Sequence, residues 1–371
     1  MQTYIVIGAG ILGASTAYHL AKQGVDVTLV DRNDVGQATN AAAGIVCPWL
    51  TKRRNKAWYR LAVGGAKYYP TLIQELEAGG ETETGYARVG AMNIFDTEEK
   101  LDKKMELAFK RKESTPEMGE ISKLSPVETK ALFPPLSEEY GAVHVSGAAR
   151  VNGGALRNAL IRCAEKNGAT FIHGDASLVY NGAKITGVTV NEKIIHADQV
   201  IVTGGAWSKE LLEPLGMNFL VTSQKAQIVH LNMPNTDTSF WPVVIPPFNQ
   251  YMLAFNNGKI VLGATHENNV GMDYRVTMGG IHEIMDKALR VAPGLASSTY
   301  VETKVGFRPF TPNHLPVIGP VPNTDGLFVA NGLGASGLTS GPYLGSELAK
   351  LALGHPTELD LNDYDVSSAF S

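Results

Sequence analysis

Residues 4–31 read YIVIGAGILGASTAYHLAKQGVDVTLVD. Residues 4–7 are a short apolar run with β-branched side chains. Gly8-Ala9-Gly10-Ile11-Leu12-Gly13 follows, and a helical spacing of Ala14, Ala17, Tyr18, Leu20 and Ala21 begins at once. Gly24 stands where a helix C-terminus favours glycine. Residues 25–30 read as a second strand, closed by Asp31. This is the start of a βαβ unit carrying Gly-x-Gly-x-x-Gly between its first strand and its helix. In such a unit Gly8 makes the tight turn, Gly10 lets the backbone approach a pyrophosphate, and Gly13 lets helix and strand pack closely. The helix N-terminus attracts phosphate. Asp31 is placed to accept hydrogen bonds from a ribose, and its charge disfavours a 2′-phosphate, which argues against NADP. These residues do not choose between NAD and FAD.

Outward from this stretch, the 371 residues allow one long domain or two ordinary ones, and the hydrophobic fraction of 44% suits a full core. A net charge of −4 gives no basic footprint for nucleic acid. The one basic cluster, Lys52-Arg53-Arg54 with Lys56, reads as a solvated loop. Cys47 and Cys163 are too few for a disulfide framework and form no Cys-x-x-Cys pair; Cys163 falls on the apolar side of a helix. With no signal peptide ahead of the first strand and no apolar run of membrane-spanning length, a reduced, cytoplasmic protein is expected, with peripheral membrane association left open.

The run 36–44, GQATNAAAG, has small side chains that admit a bulky ligand, and Thr39 or Asn40 is expected to cap a following helix. Residues 58–76 have helical spacing, with a kink expected at Pro70. Residues 87–95 read as a strand, 98–112 as a charged helix, 142–145 as a strand and 154–166 as a helix. Residues 178–196 read as a small β-meander. Residues 197–208, ADQVIVTGGAWS, read as a buried strand entering a glycine turn and a new helix. The portion 221–305 is mostly β, with strands at 227–231, 251–255 and 259–262. The chain closes with a strand, the run 332–339 (GLGASGLT) and a helix to residue 353. Phosphate-friendly α/β pieces therefore recur at the start, middle and end, with β-rich pieces between. The fold class is α/β (α+β overall), with two domains, both discontinuous.

The combination of the opening motif with ATNAAAG, ADQVIVTGGAWS, GFRPFTPNHLPVIG and LFVANGLGASGLTSGP resembles the FAD-dependent D-amino-acid oxidase superfamily, over nearly the whole chain. It looks most similar to the branch of glycine oxidase, sarcosine oxidase and D-amino-acid dehydrogenase. The resemblance implies a Rossmann-like FAD-binding domain (1–84, 148–219, 303–371) and a β-sheet-rich substrate domain (85–147, 220–302). Its implied cofactor contacts are Gly8, Gly10, Ile11, Leu12 and Gly13; Asp31 and Arg32; Thr39, Asn40, Ala41, Ala42, Ala43 and Gly44; and Ser177, Gly204, Gly205 and Trp207. They continue with Arg308 and with Gly334, Ala335, Ser336, Gly337, Leu338 and Thr339, whose N–H groups would face the flavin pyrimidine. Arg308 matches the arginine that pairs with a substrate carboxylate, and Tyr251 a tyrosine facing the same group.

The sequence departs from its relatives in two places. Gly306 stands where sarcosine oxidases carry a flavin-linking cysteine, so non-covalent FAD is expected. Ala335 stands where glycine oxidase carries a second arginine, which leaves the substrate open. The expected reaction moves a hydride from the Cα of an amino acid or N-alkyl amino acid to flavin N5, giving an imine and then a keto acid. Two alternatives stay open. One is a 2-hydroxy-acid dehydrogenase, for which His266 is the candidate base. The other is a flavin-binding subunit of a larger assembly. The expected partner is a small carboxylate-bearing amine; no metal is expected, and self-association and the electron acceptor are left open.

Overall fold

The computed structural model describes residues 2–371. Strand Thr3–Ile7, helix Ile11–Lys22 and strand Asp26–Asp31 fold as the opening pattern predicts. The two strands pair in parallel, with Val6 opposite Leu29. They sit inside a six-stranded sheet ordered Val317–Pro320, Leu327–Asn331, Gln199–Val202, Thr3–Ile7, Asp26–Asp31, Thr170–His173. Only the Val317–Pro320 pairing is antiparallel.

A parallel sheet is covered on both faces, so its central strands carry buried apolar residues on both sides. Tyr4, Val6 and Ile201 point into the core beneath the helices, while Ile5, Ile7, Val200 and Val202 point into the opposite core. The first helix packs against helices Gly153–Lys166 and Gly337–Ala352 on one face. A Cβ at Gly345 would lie 2.6 Å from Ser15 Cβ, so glycine there sets how closely the first and last helices approach. The other face is covered by the meander Ala176–Asn181, Lys184–Val190, Lys193–His196.

The second sheet has eight strands, ordered Thr299–Phe310, Thr222–Asn232, Lys259–Gly263, Tyr251–Ala254, Val243–Ile245, Ala91–Phe95, Gly141–Val145, Ile121–Leu124. All pairs are antiparallel except Val243–Ile245 with Ala91–Phe95. Helix Met278–Val291 closes a separate core over this sheet through Ile284, Ala288 and Val291.

Two expectations need correction. No helix follows Thr39 and Asn40: the run 36–44 is a series of turns leading to the short strand Ile45–Val46. The strand expected over 87–95 begins at Ala91, because Gly90 has φ +76° and Ala87 makes only an isolated bridge to Arg150. The glycine turn and new helix expected after strand Gln199–Val202 are present, as a 3₁₀ turn at Gly205–Trp207 and the helix Ser208–Leu212. Helix Lys56–Ala78 is one continuous element that contains Pro70. Strand Thr299–Phe310 crosses the expected boundary at 302/303, pairs with Thr222–Asn232 and carries Arg308 in the second sheet.

Candidate active site

One cavity of about 780 Å³ runs from the C-terminal edge of the six-stranded sheet to the face of the eight-stranded one. At the sheet edge it is lined by Gly8, Gly10, Ile11, Leu12, Asp31, Arg32 and Thr39. Ala41–Gly44, Ser177, Gly204, Gly205 and Trp207 line it further along. At the far end stand Tyr251, Arg308 and the run 334–339, including Gly334, Ala335, Ser336, Gly337, Leu338 and Thr339. Segments scattered from Gly8 to Thr339 thus meet at one wall. Two of the expected residues do not border the cavity. Gly13 faces the sheet, where a Cβ would lie 1.9 Å from Gly8 O; Asn40 is exposed and donates its amide to Gln37.

The dinucleotide end is preorganised by hydrogen bonds. Asp31 accepts from the N–H of Ala9 through Oδ2 at 2.6 Å, and from Asn33 N at 2.6 Å and Gln37 Nε2 at 2.9 Å through Oδ1. Arg157 Nη1 in turn donates to Gln37 Oε1 at 3.0 Å. Thr39 caps a different helix from the one expected: its Oγ1 accepts from Ile11 N at 2.9 Å, at the start of the first helix. The N–H groups of Leu12 and Gly13 remain without intrahelical acceptors, as at any helix start, and Leu12 faces the cavity.

These residues fit FAD. A Cβ on Gly10 would meet only Thr39 Oγ1 at 3.5 Å, an ordinary contact, and one on Gly337 only Leu333 Cβ at 3.9 Å. The protein's own packing does not demand glycine at either place. The space their missing side chains leave opens onto the cavity at two helix N-termini, where a phosphate or an anionic ring edge is favoured. Gly306 is different. A Cβ there would lie 2.6 Å from Ala41 Cβ, so the position has no room for a cysteine side chain.

At the far end the register of the second sheet sets the chemistry. Gln224 and Arg308 are cross-strand partners, as are Ala226 and Gly306, and Ala226, Gly306 and Arg308 line the cavity. Arg308 Nη1 donates to Gln224 Oε1 at 3.0 Å. Burial lowers the guanidinium's affinity for its proton, partly offset by the adjacent Tyr251 hydroxyl, and no carboxylate contributes. Burial likewise raises the Tyr251 phenol above its ordinary value, against the pull of Arg308. His266 lines the same end beside Asn249, 3.2 Å from Nδ1 to the Asn249 amide nitrogen. Burial first, then the charge of Arg308, lowers its pKa and favours the neutral ring.

The segment carrying His266 is held from beneath by Lys225. This fully buried lysine lies 3.2 Å from Asp273 and 3.5 Å from Glu267. Gln227 Nε2 donates to Glu267 Oε1 at 2.7 Å and completes the knot. An unpaired buried ammonium would be far costlier than this arrangement.

Cys47 lines the cavity, and burial pushes its thiol up to about 12, so it is a poor nucleophile. Cys163 is buried in its helix. Gln37, Arg157, Gln224, Asn249 and Trp58 were not legible as site residues. Trp58 lines the cavity and donates its Nε1 to Ser336 Oγ at 3.0 Å. Among the described residues no group of three or more metal-type ligands occurs, and no helix is long and apolar enough to cross a membrane.

The family model described as DAO, FAD dependent oxidoreductase, matches residues 3–351. An uncharacterized oxidoreductase of Bacillus subtilis, YurR, is 61% identical over 372 residues and covers the whole of both chains. A glycine oxidase of Pseudomonas aeruginosa is 30% identical over 370 residues, covering 98% of each chain. The crystal structure of iminodiacetate oxidase from Chelativorans sp. BNC1 superposes with a TM-score of 0.95 at 45% identity, again covering 98% of each chain.

Proposed function

The chain belongs to the DAO family of FAD-dependent oxidoreductases, and from that premise we propose that it oxidises the Cα–N bond of a small amine carrying a carboxylate. Glycine, a D-amino acid and an N-substituted amino acid all fall in this class. The observation that carries the reading is Arg308. It is a guanidinium in the cavity wall, neighboured by the neutral Gln224 and Tyr251 and by no carboxylate of its own.

A planar guanidinium makes a bidentate pair with a carboxylate, and a buried one without an anion favours a ligand that supplies it. FAD, when bound, supplies the hydride acceptor. On this reading Asp31 holds the ribose, and the N–H groups at the first helix start face the pyrophosphate. Those at 334–339 face the flavin, and FAD is held without a covalent bond. Arg308 fixes the carboxylate, with Tyr251 beside it, and so orients the Cα–H. Trp58 and the apolar Leu50 and Ile245 exclude water from the same end. Among the described residues no acidic side chain lines that end, and on this reading the amine is received neutral rather than as an ion pair. The glycine and iminodiacetate oxidases among the relatives, whose named substrates are carboxylate-bearing amines, support the same class.

A 2-hydroxy acid is the second reading, because His266 stands neutral at the cavity wall where a hydroxyl proton needs an acceptor. A panel of amino and hydroxy acids, with flavin bleaching followed without oxygen, tests both. Bleaching by amino acids alone is expected. Bleaching by hydroxy acids alone would transfer the assignment to the second reading.

A further inference from the structure

The cavity is electrically polarised. Its lining acids, Asp31, Asp34, Asp175 and Glu210, all lie at the dinucleotide end. The opposite end is bordered by segment 47–56, of which Cys47, Pro48, Leu50 and Thr51 line the cavity. This segment carries Lys52, Arg53, Arg54 and Lys56. Helix Glu98–Lys112 brings two more cations behind it. Lys104 Nζ donates to Leu50 O at 3.0 Å, and Arg111 Nη1 to Thr51 O at 2.9 Å and to Trp49 O.

Arg53 stacks on Trp58, 4.6 Å from the ring centroid, and donates to His314 O. None of the six cations forms a salt bridge among the described residues; the partners of Arg53, Lys104 and Arg111 are carbonyl oxygens and aromatic faces, and Lys52, Arg54 and Lys56 are exposed. Their charges are felt by one another, since the Lys104 ammonium is pulled down to about 8 by burial and then by Lys52 and Arg111. A chain that is net negative thus carries six cations without a carboxylate partner on and behind the segment that borders one end of its cavity; none of them lines the cavity itself, and Arg53 comes nearest through its stacking on the lining residue Trp58. Such a concentration of one sign next to low-dielectric walls focuses the field and raises the local concentration of anions. It exceeds what one carboxylate requires, because Arg308 already supplies a guanidinium for that group.

We propose that the substrate carries a second anionic group besides the carboxylate assigned to Arg308, and that the cationic segment 47–56 receives it. The substrate class is then an amine bearing two carboxylates. This rests on the preceding assignment of Arg308.

The test uses the FAD-loaded enzyme and two unreactive probes, methoxyacetate and diglycolate. Both carry an ether oxygen in place of the amine, so neither has a Cα–N bond to oxidise, and they differ by one carboxylate. Titration of the flavin absorbance gives both dissociation constants. Diglycolate is expected to bind about tenfold more tightly at low ionic strength, with the advantage shrinking as salt is added. Arg53→Gln should remove most of that advantage and leave methoxyacetate affinity as it was. Lys52→Gln/Arg54→Gln changes only exposed side chains and should reduce the advantage and its salt dependence even if Arg53→Gln fails to fold.

Equal affinities in the wild type, or an advantage that survives in the folded variants, would overturn the second-anion site while leaving the Arg308 assignment standing. If neither probe perturbs the flavin, both fall.

Discussion

Arg308 and Gln224 face each other across two neighbouring strands, joined by a 3.0 Å hydrogen bond between residues 84 apart in sequence. The bond occupies one of the guanidinium's five donors and orients the rest. A neutral partner leaves the positive charge intact, which a carboxylate in the place of Gln224 would cancel.

Arg308→Ala should therefore keep its FAD and fold and lose most turnover with carboxylate substrates. Truncating one partner of a buried charge pair costs about 3–5 kcal/mol, on the order of a hundred- to several-thousand-fold in binding. Arg308→Lys should recover only part, because a point charge does not reproduce the planar fork. Steady-state kcat/KM for the three proteins checks this; near wild-type values in the alanine variant would reduce Arg308 to a structural role.

Asp31→Ala should purify largely without FAD although folded. The substitution removes the proposed ribose acceptor. It also releases the N–H of Ala9 in the glycine loop, and hydrogen bonds to a charged group contribute about 1.5–3 kcal/mol each. The ratio of flavin to protein absorbance, with circular dichroism as the folding check, decides. A full yellow complement would refute it.

Acid precipitation of the wild type should release all of its FAD into the supernatant, because Gly306 offers no thiol. Gly306→Ala should bind FAD less well and be destabilised by about 1–3 kcal/mol, since its methyl group must displace Ala41 from a 2.6 Å approach. Flavin retained in the denatured pellet would contradict the first statement, and an unchanged melting temperature the second.

His19 gives a stability signature in acid. Its ring lies 2.7 Å from Ser15 O and 2.5 Å from the Tyr68 hydroxyl, and burial lowers its pKa from 6.5 to about 4. The unfolded chain thus binds the proton more readily than the folded one. This group costs no stability above pH 6.5, and the stability it withdraws grows as pH falls from 6.5 to about 4, then levels off. The full effect is a few kcal/mol. Urea denaturation at several pH values should show that decline, and His19→Gln should make it shallower over the same window.

The opening βαβ unit was legible because both of its strands bury apolar residues on two faces and its loop needs glycine at Gly8 and Gly13, where a Cβ would meet backbone. The helix over 98–112 was legible from its charge pattern and coincides with Glu98–Lys112. Strand Thr222–Asn232 was read only over 227–231, because Lys225 looks out of place in a core strand. Its acids, Glu267 and Asp273, lie more than forty residues away, where no local pattern can announce them. The same separation hid Gln224 beside Arg308 and Arg157 behind Gln37. Thr39 has the chemistry of a helix cap, but the helix it serves precedes it in the chain by 28 residues.

Phe307 N donates to Gly36 O at 3.0 Å, and Gln37 forms a bridge with Phe307. The turn that leads from Asp31 to Thr39 is thereby stitched to the residue next to Arg308. On the proposed placement of FAD, cofactor loading and carboxylate capture draw on one shared piece of backbone and are expected to favour one another. Whatever factor FAD adds to carboxylate affinity, a bound carboxylate returns to FAD as slower loss, because such coupling is reciprocal. A protein stripped of its flavin would then be a poor trap for substrate, and an enzyme working in plentiful substrate would hold its flavin longest.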